Sequence, residues 1–316
     1  MNYTLEKEFS NEKNVLDIKD LSLKYGKKFA IKDINLSIFT GEIVALVGHN
    51  GAGKSSLFNI IAGIQTPTTG SVEFDQDFIE KRLFATIGFS PQTQVMDWYT
   101  NVWDNVYLGS QLAGIDAKTG KLLTEKALDL LSISDLKNKP VDALSGGQQQ
   151  RVQIARSIVH QPDFYLLDEP TTGLDAETSN RLLSFLKKEA AKGKSVFVSS
   201  HDLHLLEEFC DNLVLIDKGR VLYAGDLKNF LIENAPKKSY QITTDRSIHE
   251  EIIHKLNEKG IAVTGLDNFQ YRFILNQESD LTQLFMDTKE FFRIDEIVKE
   301  TMSLRDLYIH YREGGL

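Results

Sequence analysis

Ile43-Val44-Ala45-Leu46-Val47-Gly48-His49-Asn50-Gly51-Ala52-Gly53-Lys54-Ser55-Ser56 is the stretch whose reading decides the fold. Five consecutive apolar residues, Ile43 to Val47, predict a short strand covered on both faces. The glycine-rich run that follows fits G-x-x-x-x-G-K-[ST], and Ser55 to Ala62 then carries apolar residues at helical spacing. Strand, loop and helix therefore follow one another. Glycines let backbone N–H groups curl around phosphate oxygens, and a helix N-terminus adds partial positive charge. Lys54 can then neutralise β and γ phosphates, and the Ser55 hydroxyl is placed to ligate Mg²⁺.

On the N-terminal side, Val15 to Ile38 reads as two short strands separated by the turn signal Tyr25-Gly26-Lys27-Lys28. On the C-terminal side, the stretch from about Thr93 to His160 lacks strand signals and shows helical patches such as Leu122 to Leu131. Two more apolar strands follow, Phe164 to Leu167 and Ser195 to Val198. Between them lies an amphipathic helix with Leu182, Leu183, Phe185 and Leu186 on its apolar face. Strands alternating with helices imply a parallel sheet covered on both sides. After Val214-Leu215-Ile216 and the turn at Lys218-Gly219, composition shifts near Ala235-Pro236-Lys237-Lys238. The remaining stretch reads as strand, helix, strand, strand, helix and a final helix, enough for a small α+β domain. The expected division is a core domain over 15–235, with a helical insert at about 93–160, and an accessory domain over 236–316.

At 316 residues the chain exceeds one mid-sized domain, and 41% hydrophobic with 26% charged residues describes an ordinary soluble globular protein. A formal charge of −9 argues against a polyanion as the main partner, so no nucleic acid is expected. The single cysteine, Cys210, allows no disulfide framework and no cysteine metal cluster, and is expected to be a buried thiol. Met1 to Asn14 lacks the apolar stretch of a secretory leader, and no apolar run approaches the roughly 18 to 20 residues that span a bilayer. A membrane role is thus expected to come through a partner. There is no repeat of solenoid length and no low-complexity segment.

Two further motifs carry chemistry. Phe164-Tyr165-Leu166-Leu167-Asp168-Glu169 delivers two acids at the end of a buried strand, the edge at which open α/β sheets bind ligands. Asp168 is placed to hold Mg²⁺, and Glu169 to orient or deprotonate an attacking water; the plain alternative is a surface turn. Leu144-Ser145-Gly146-Gly147-Gln148, followed by Gln149-Gln150-Arg151, offers bare backbone and a helix start without a lysine. Physical reasoning alone leaves it open whether this is a second phosphate cradle or a flexible loop.

In this fixed order the motifs resemble the ATP-binding subunits of ABC transporters, and the match covers roughly Val15 to Gly225. Leu144 to Gln148 resembles the family signature, Gln92 in Ser90-Pro91-Gln92 the Q-loop glutamine, and Gly173-Leu174-Asp175 the D-loop. His201 after Ser199-Ser200 is similar to the switch histidine, and Tyr25 to the aromatic that stacks on adenine. The resemblance implies an α/β fold: a P-loop NTPase core with a parallel sheet, an N-terminal antiparallel β subdomain, a helical subdomain and the small C-terminal α+β domain. It implies ATP and Mg²⁺ as cofactors. ATP contacts would come from Tyr25, Gly48, His49, Asn50, Gly51, Ala52, Gly53, Lys54, Ser55, Ser56, Gln92, Ser145, Gly146, Gly147 and Gln148, metal ligands from Ser55, Gln92 and Asp168, and catalytic groups from Glu169, His201 and Lys54.

In such families two subunits form a head-to-tail sandwich, each ATP lying between the phosphate loop of one and the signature of the other. With Glu169, His201 and the signature all present, a homodimer would have two competent sites, and a heterodimer stays open. The implied partner is an integral-membrane permease, which places the chain at the cytoplasmic face of the cell membrane. Met96-Asp97-Trp98-Tyr99-Thr100 and Trp103 form an aromatic cluster where the family docks its permease; burial inside the helical insert is the alternative. Ser303-Leu304-Arg305-Asp306-Leu307-Tyr308 resembles the ending of ATPases paired with ABC-2 exporters, although Arg305 replaces the usual acid and Tyr308 the usual phenylalanine. The tail points to export, with an importer subunit or a soluble ABC ATPase acting on a non-membrane partner as alternatives. The C-terminal domain itself reads as a regulatory or dimer-stabilising module, or as a packing appendage.

Overall fold

The computed structural model describes residues 13–75, 83–234, 238–267, 269–275, 280–299, 303–305 and 307–308. The chain divides into two compact units, residues 1–227 and 228–316. The first begins with β1 (Asn14–Tyr25) and β2 (Lys28–Phe39), followed by β3 (Ile43–Val47), α1 (Lys54–Ile61) and β4 (Thr69–Phe74). Next come α2 (Leu83–Thr86), β5 (Ile87–Ser90), α3 (Val102–Leu112), α4 (Ala117–Leu130) and α5 (Gly146–Ile158). It continues through β6 (Phe164–Asp168), α6 (Ala176–Ala190), β7 (Ser195–Ser199), α7 (Leu203–Phe209), β8 (Asn212–Asp217) and β9 (Arg220–Asp226).

A six-stranded sheet in the order β5-β6-β7-β3-β8-β9 forms the centre of this unit. Its first five strands are mutually parallel, and only the β8–β9 hairpin is antiparallel. Every residue of β3, β6 and β7 is buried, which explains their unbroken apolar runs. A second, three-stranded antiparallel sheet, β2-β1-β4, stands beside it. Leu21, Ile31, Ile34 and Ile38 of that sheet share one apolar cluster with Leu46, Leu57, Phe58 and Phe197, so the two sheets and α1 hold a common core. The strands β1 and β2 run 12 residues each, longer than the short stretches expected, because their alternating faces continue across bulges.

Helix starts follow their side chains. Asn101, Asp116, Ser145, Asp175 and Asp202 each accept a backbone N–H in the first turn of α3, α4, α5, α6 and α7. The face of α6 is read correctly from its spacing, with Leu182 and Leu186 fully buried and Leu183 nearly so. Each such leucine contributes about 1.5–3 kcal/mol of burial. Between 93 and 160 no strand forms among the described residues apart from the bridge Asn101–Pro140, and α3, α4 and α5 make the helical insert. Cys210 is a buried free thiol, its ionisation pushed up by desolvation.

The second unit contains α8 (Leu227–Asn234) from residue 228 onward, then β10 (Ser239–Thr244), α9 (Glu250–Glu258), β11 (Ile261–Asp267), β12 (Gln270–Leu275), α10 (Leu281–Thr288) and β13 (Ile294–Lys299). Its antiparallel sheet has the order β11-β12-β10-β13, the split β-α-β arrangement of ferredoxin-like folds. Ile242, Leu256, Ile261, Phe273, Leu284 and Phe292 form its core. The sequence reading is corrected here: a fourth strand, β13, precedes the final helical residues. Its pattern Ile-Asp-Glu-Ile-Val-Lys has apolar residues three apart and mimics a helix face, and only pairing with β10 makes it extended. The expected final helix is described only at 304–305 and 307–308, and Asp306 and Ala235-Pro236-Lys237 lie outside the described residues.

His160, just beyond α5, keeps both ring nitrogens withdrawn from solvent, and burial lowers its pKa to about 4. Above pH 6.5 the ring is neutral in folded and unfolded chains alike. Between 6.5 and about 4 the unfolded chain takes up a proton that the folded one excludes, so stability falls with falling pH. Denaturant titrations should therefore show wild type losing up to about 3 kcal/mol relative to His160→Gln as pH drops through that window. A pH-independent difference between the two would refute the assignment.

Candidate nucleotide site

The loop after β3 turns into α1 without a side-chain cap, unlike α3 to α7. Its N-cap, Gly53, has φ 110, and a Cβ there would stand 2.7 Å from the Ala30 carbonyl oxygen, so only glycine fits. The first-turn N–H groups of α1 are thus left without a side-chain acceptor, as an anion site requires. Lys54 is 9% exposed, and its Nζ donates to the Gly48 carbonyl at 2.6 Å and to the His49 carbonyl at 3.5 Å, folding the ammonium back over the loop. A cleft of about 390 Å³ opens here, lined by Ala30, His49, Asn50, Gly51, Gly53, Lys54, Ser55, Ser56 and Gln92.

Parallel registration carries the acids to the same sheet edge. Leu46 at the end of β3 is level with Ser199 of β7, and Ser199 is level with Asp168 of β6. Asp168 therefore lies two strand spacings from the phosphate loop strand, on the order of 10 Å. Asp168 and Glu169 are 2% and 5% exposed. The Ser199 hydroxyl donates to Asp168 Oδ1 and accepts the Glu169 N–H at 2.9 Å, so one side chain orients both acids. Glu169 has φ 54, the left-handed region, a strain of roughly 1–3 kcal/mol that this strand-end turn maintains. Its Oε2 lies 2.6 Å from His201 Nδ1 and accepts the His201 N–H at 3.2 Å. Thr172 Oγ1 donates to the same oxygen at 3.5 Å.

The remaining motif residues fall in two places. Gln92 is exposed and lines the cleft. The loop it sits in is held by Gln153 of α5, whose Nε2 donates to the Pro91 carbonyl at 2.6 Å and whose Oε1 accepts the Val95 N–H at 2.6 Å. Tyr25 ends β1 with its ring 57% exposed and its hydroxyl donating to Gln65 Oε1 at 2.9 Å.

The signature is elsewhere. Ser145 and Gln148 form a capping box at the start of α5, Ser145 and Gly146 are exposed, and no residue of 144–148 lines the cleft. Gly147 instead backs onto the D-loop, where a Cβ would come within 2.6 Å of the Gly173 carbonyl oxygen. Asp175 of that loop caps α6 through the Thr178 N–H, which holds its carboxyl below the ordinary range, and it pairs with Arg151 of α5.

Ser199 and Gln153 escaped the sequence reading. Both act on backbone or side chains 30 or more residues away in the chain, and no local pattern marks them. The aromatic cluster divides. Met96 is buried, Trp103 stacks near Tyr107 with centroids 6.5 Å apart, and Trp98 and Tyr99 are 41% and 100% exposed. Asn105 organises the turn that presents them, donating to the Asp97 and Asn101 carbonyls and to Thr100 Oγ1 while accepting the Asp97 N–H.

No helix among the described residues is long and apolar enough to cross a membrane. Residues 31–172 match the family model described as ABC transporter. The chain is 32% identical to a methionine import ATP-binding protein of Enterococcus faecalis (strain ATCC 700802 / V583), over 73% of this chain and 70% of that one. It is 29% identical to Nod factor export ATP-binding protein I of Burkholderia orbicola (strain AU 1054), over 66% of this chain and 70% of that one. Among solved structures, it resembles an ATP-binding cassette captured as a dimer in a post-hydrolysis state with ADP and phosphate. That likeness has a TM-score of 0.61 at 30% identity and covers 67% of this chain and 98% of the cassette. The loop with an uncapped helix start, the paired acids at the neighbouring strand end and these likenesses agree, and the chain belongs to the ABC transporter ATP-binding family, the Mg²⁺-dependent ATPases that power ABC transporters.

Proposed function

We propose that this ATPase works as a pair of identical chains that drives a separate membrane-spanning permease, in the direction of export, from the cytoplasmic face of the membrane. One observation carries the pairing: the signature Ser145-Gly146-Gly147 lies outside the cleft of its own chain, so a nucleotide held there meets a signature only from a second copy. The ATPase core would span 15–235 and the accessory domain 236–316.

In this reading the α1 N-terminus and Lys54 receive the phosphates, Lys54 exchanging the Gly48 carbonyl for β and γ oxygens. Ser55, Gln92 and Asp168 would offer oxygen ligands of the kind magnesium prefers. When bound, the ion neutralises charge spread over the transferred phosphoryl group. Glu169, strained and fixed by Ser199, accepts a proton from the attacking water. His201 bonds Glu169 until a γ-phosphate draws its exposed ring away, which frees the carboxylate when substrate is present. Tyr25 supplies an exposed ring for adenine. Donors of Ser145 and Gly147 from the twin chain close the site from the other side.

Export is supported by the resemblance of Ser303-Leu304-Arg305-Asp306-Leu307-Tyr308 to the ending of ATPases paired with ABC-2 exporters. The relatives bear names of both directions, so the discriminating observation lies outside the chain. A neighbouring reading frame of about six hydrophobic spans fits export, whereas a neighbouring binding protein of the periplasm would overturn it. The exposed pair Trp98 and Tyr99, on the turn built by Asn105, is the proposed permease contact.

Glu169→Gln should keep ATP binding, lower turnover by at least about a hundredfold and trap a dimer visible by gel filtration; unchanged phosphate release would contradict the role. Lys54→Ala should weaken ATP affinity on the order of tenfold to a hundredfold in equilibrium binding, and normal affinity would count against the phosphate-loop reading. Trp98→Ala combined with Tyr99→Ala should reduce recovery of the permease in co-purification by more than about tenfold, and full recovery would remove this surface.

A further inference from the structure

The phosphate loop carries a second potential cation. His49 lines the cleft, and both of its ring nitrogens face oxygens that only accept. Nε2 is 2.8 Å from Asp217 Oδ1, and Nδ1 is 2.6 Å from the Asn50 carbonyl oxygen. A neutral imidazole has one N–H and one lone pair, so one of these two contacts would set lone pair against lone pair. Only the imidazolium satisfies both. Asp217, at the end of β8, is the carboxylate that balances it, in a charge-assisted bond.

We propose that His49 is held as an imidazolium by Asp217, and that this pair positions the phosphate loop for nucleotide. The proposal rests on the phosphate-loop reading above and adds two effects to it. The first concerns direction. Fixing the Asn50 carbonyl toward the ring points the Gly51 N–H the opposite way across the same planar peptide, in a loop where Gly51 has φ 82. The second is charge: the imidazolium adds to Lys54, whose Nζ lies 3.5 Å from the His49 carbonyl, in a cleft that must hold a triphosphate. The tie is part of a larger seam. The Gly219 N–H of the β8–β9 turn donates to the Ala52 carbonyl at 2.9 Å, and the Lys32 N–H to the Gly219 carbonyl at 2.8 Å. Asp217 holds the loop at His49 and the following turn holds it at Ala52, so Asp217 is a positioning residue rather than a catalytic one.

Nitrogen-15 spectra of the full chain labelled at histidine, with His49 assigned by comparison with His49→Gln, read the ring directly. Two protonated ring nitrogens at neutral pH are expected in the wild type, and one in Asp217→Asn. A single protonated nitrogen in the wild type overturns the proposal, even if Asp217→Asn fails to fold. In equilibrium binding, His49→Gln and Asp217→Asn should each weaken ATP by on the order of threefold to tenfold, with no further loss in the double variant. Full affinity in His49→Gln, or additive losses, would also overturn it. Lys54→Ala run alongside separates the two levels: if it alone loses affinity, the His49 tie fails while the phosphate loop stands, and if it too binds normally, the phosphate-loop reading itself has failed.

Discussion

Parallel registration of β3, β7 and β6 is the constraint on which the site depends. Parallel neighbours end at the same edge of a sheet, so the loop after β3, Ser199 of β7 and the acids after β6 arrive together without any direct contact having to specify it. The strands are buried on both faces, and a slip of one residue would turn Asp168 or Leu46 into the wrong layer. Core packing and site geometry are therefore one requirement: Phe58, Phe197 and Leu46, which fill the space under α1, also fix where the phosphate loop begins.

Upon that edge the polar groups are arranged in two tiers. Groups bound for ligand are left with weak or replaceable partners: the uncapped start of α1, Lys54 resting on a carbonyl, and an exposed His201 on Glu169. Groups that position them are satisfied and buried, Ser199 between two acids and Gln153 under the Q-loop. Replaceable partners thus stand at the phosphate loop, and firmly bonded, buried ones behind it. The strained backbone at Glu169 belongs to the same economy of placement, since it aims a carboxylate that an ordinary strand end would point elsewhere.

The second unit follows different rules. Its sheet is wholly antiparallel and its helices are short, so its stability rests on a small core around Phe273 and Ile242.

Much of the candidate site was legible in sequence because its signals are local: a buried strand, glycines and an uncapped helix start lie within 20 residues of each other, as do β6 and its acids. The alternation of strands and helices fixed the α/β class for a similar reason. Three things required tertiary structure. Ser199 and Gln153 act across long separations, so no window of sequence contains both the group and its target. β13 reads as helical until β10 pairs with it, because short amphipathic runs take their conformation from neighbours. And whether Ser145 to Gly147 line their own cleft is decided only by where α5 begins in space: the motif's composition suits a phosphate, but its position keeps it out of that cleft.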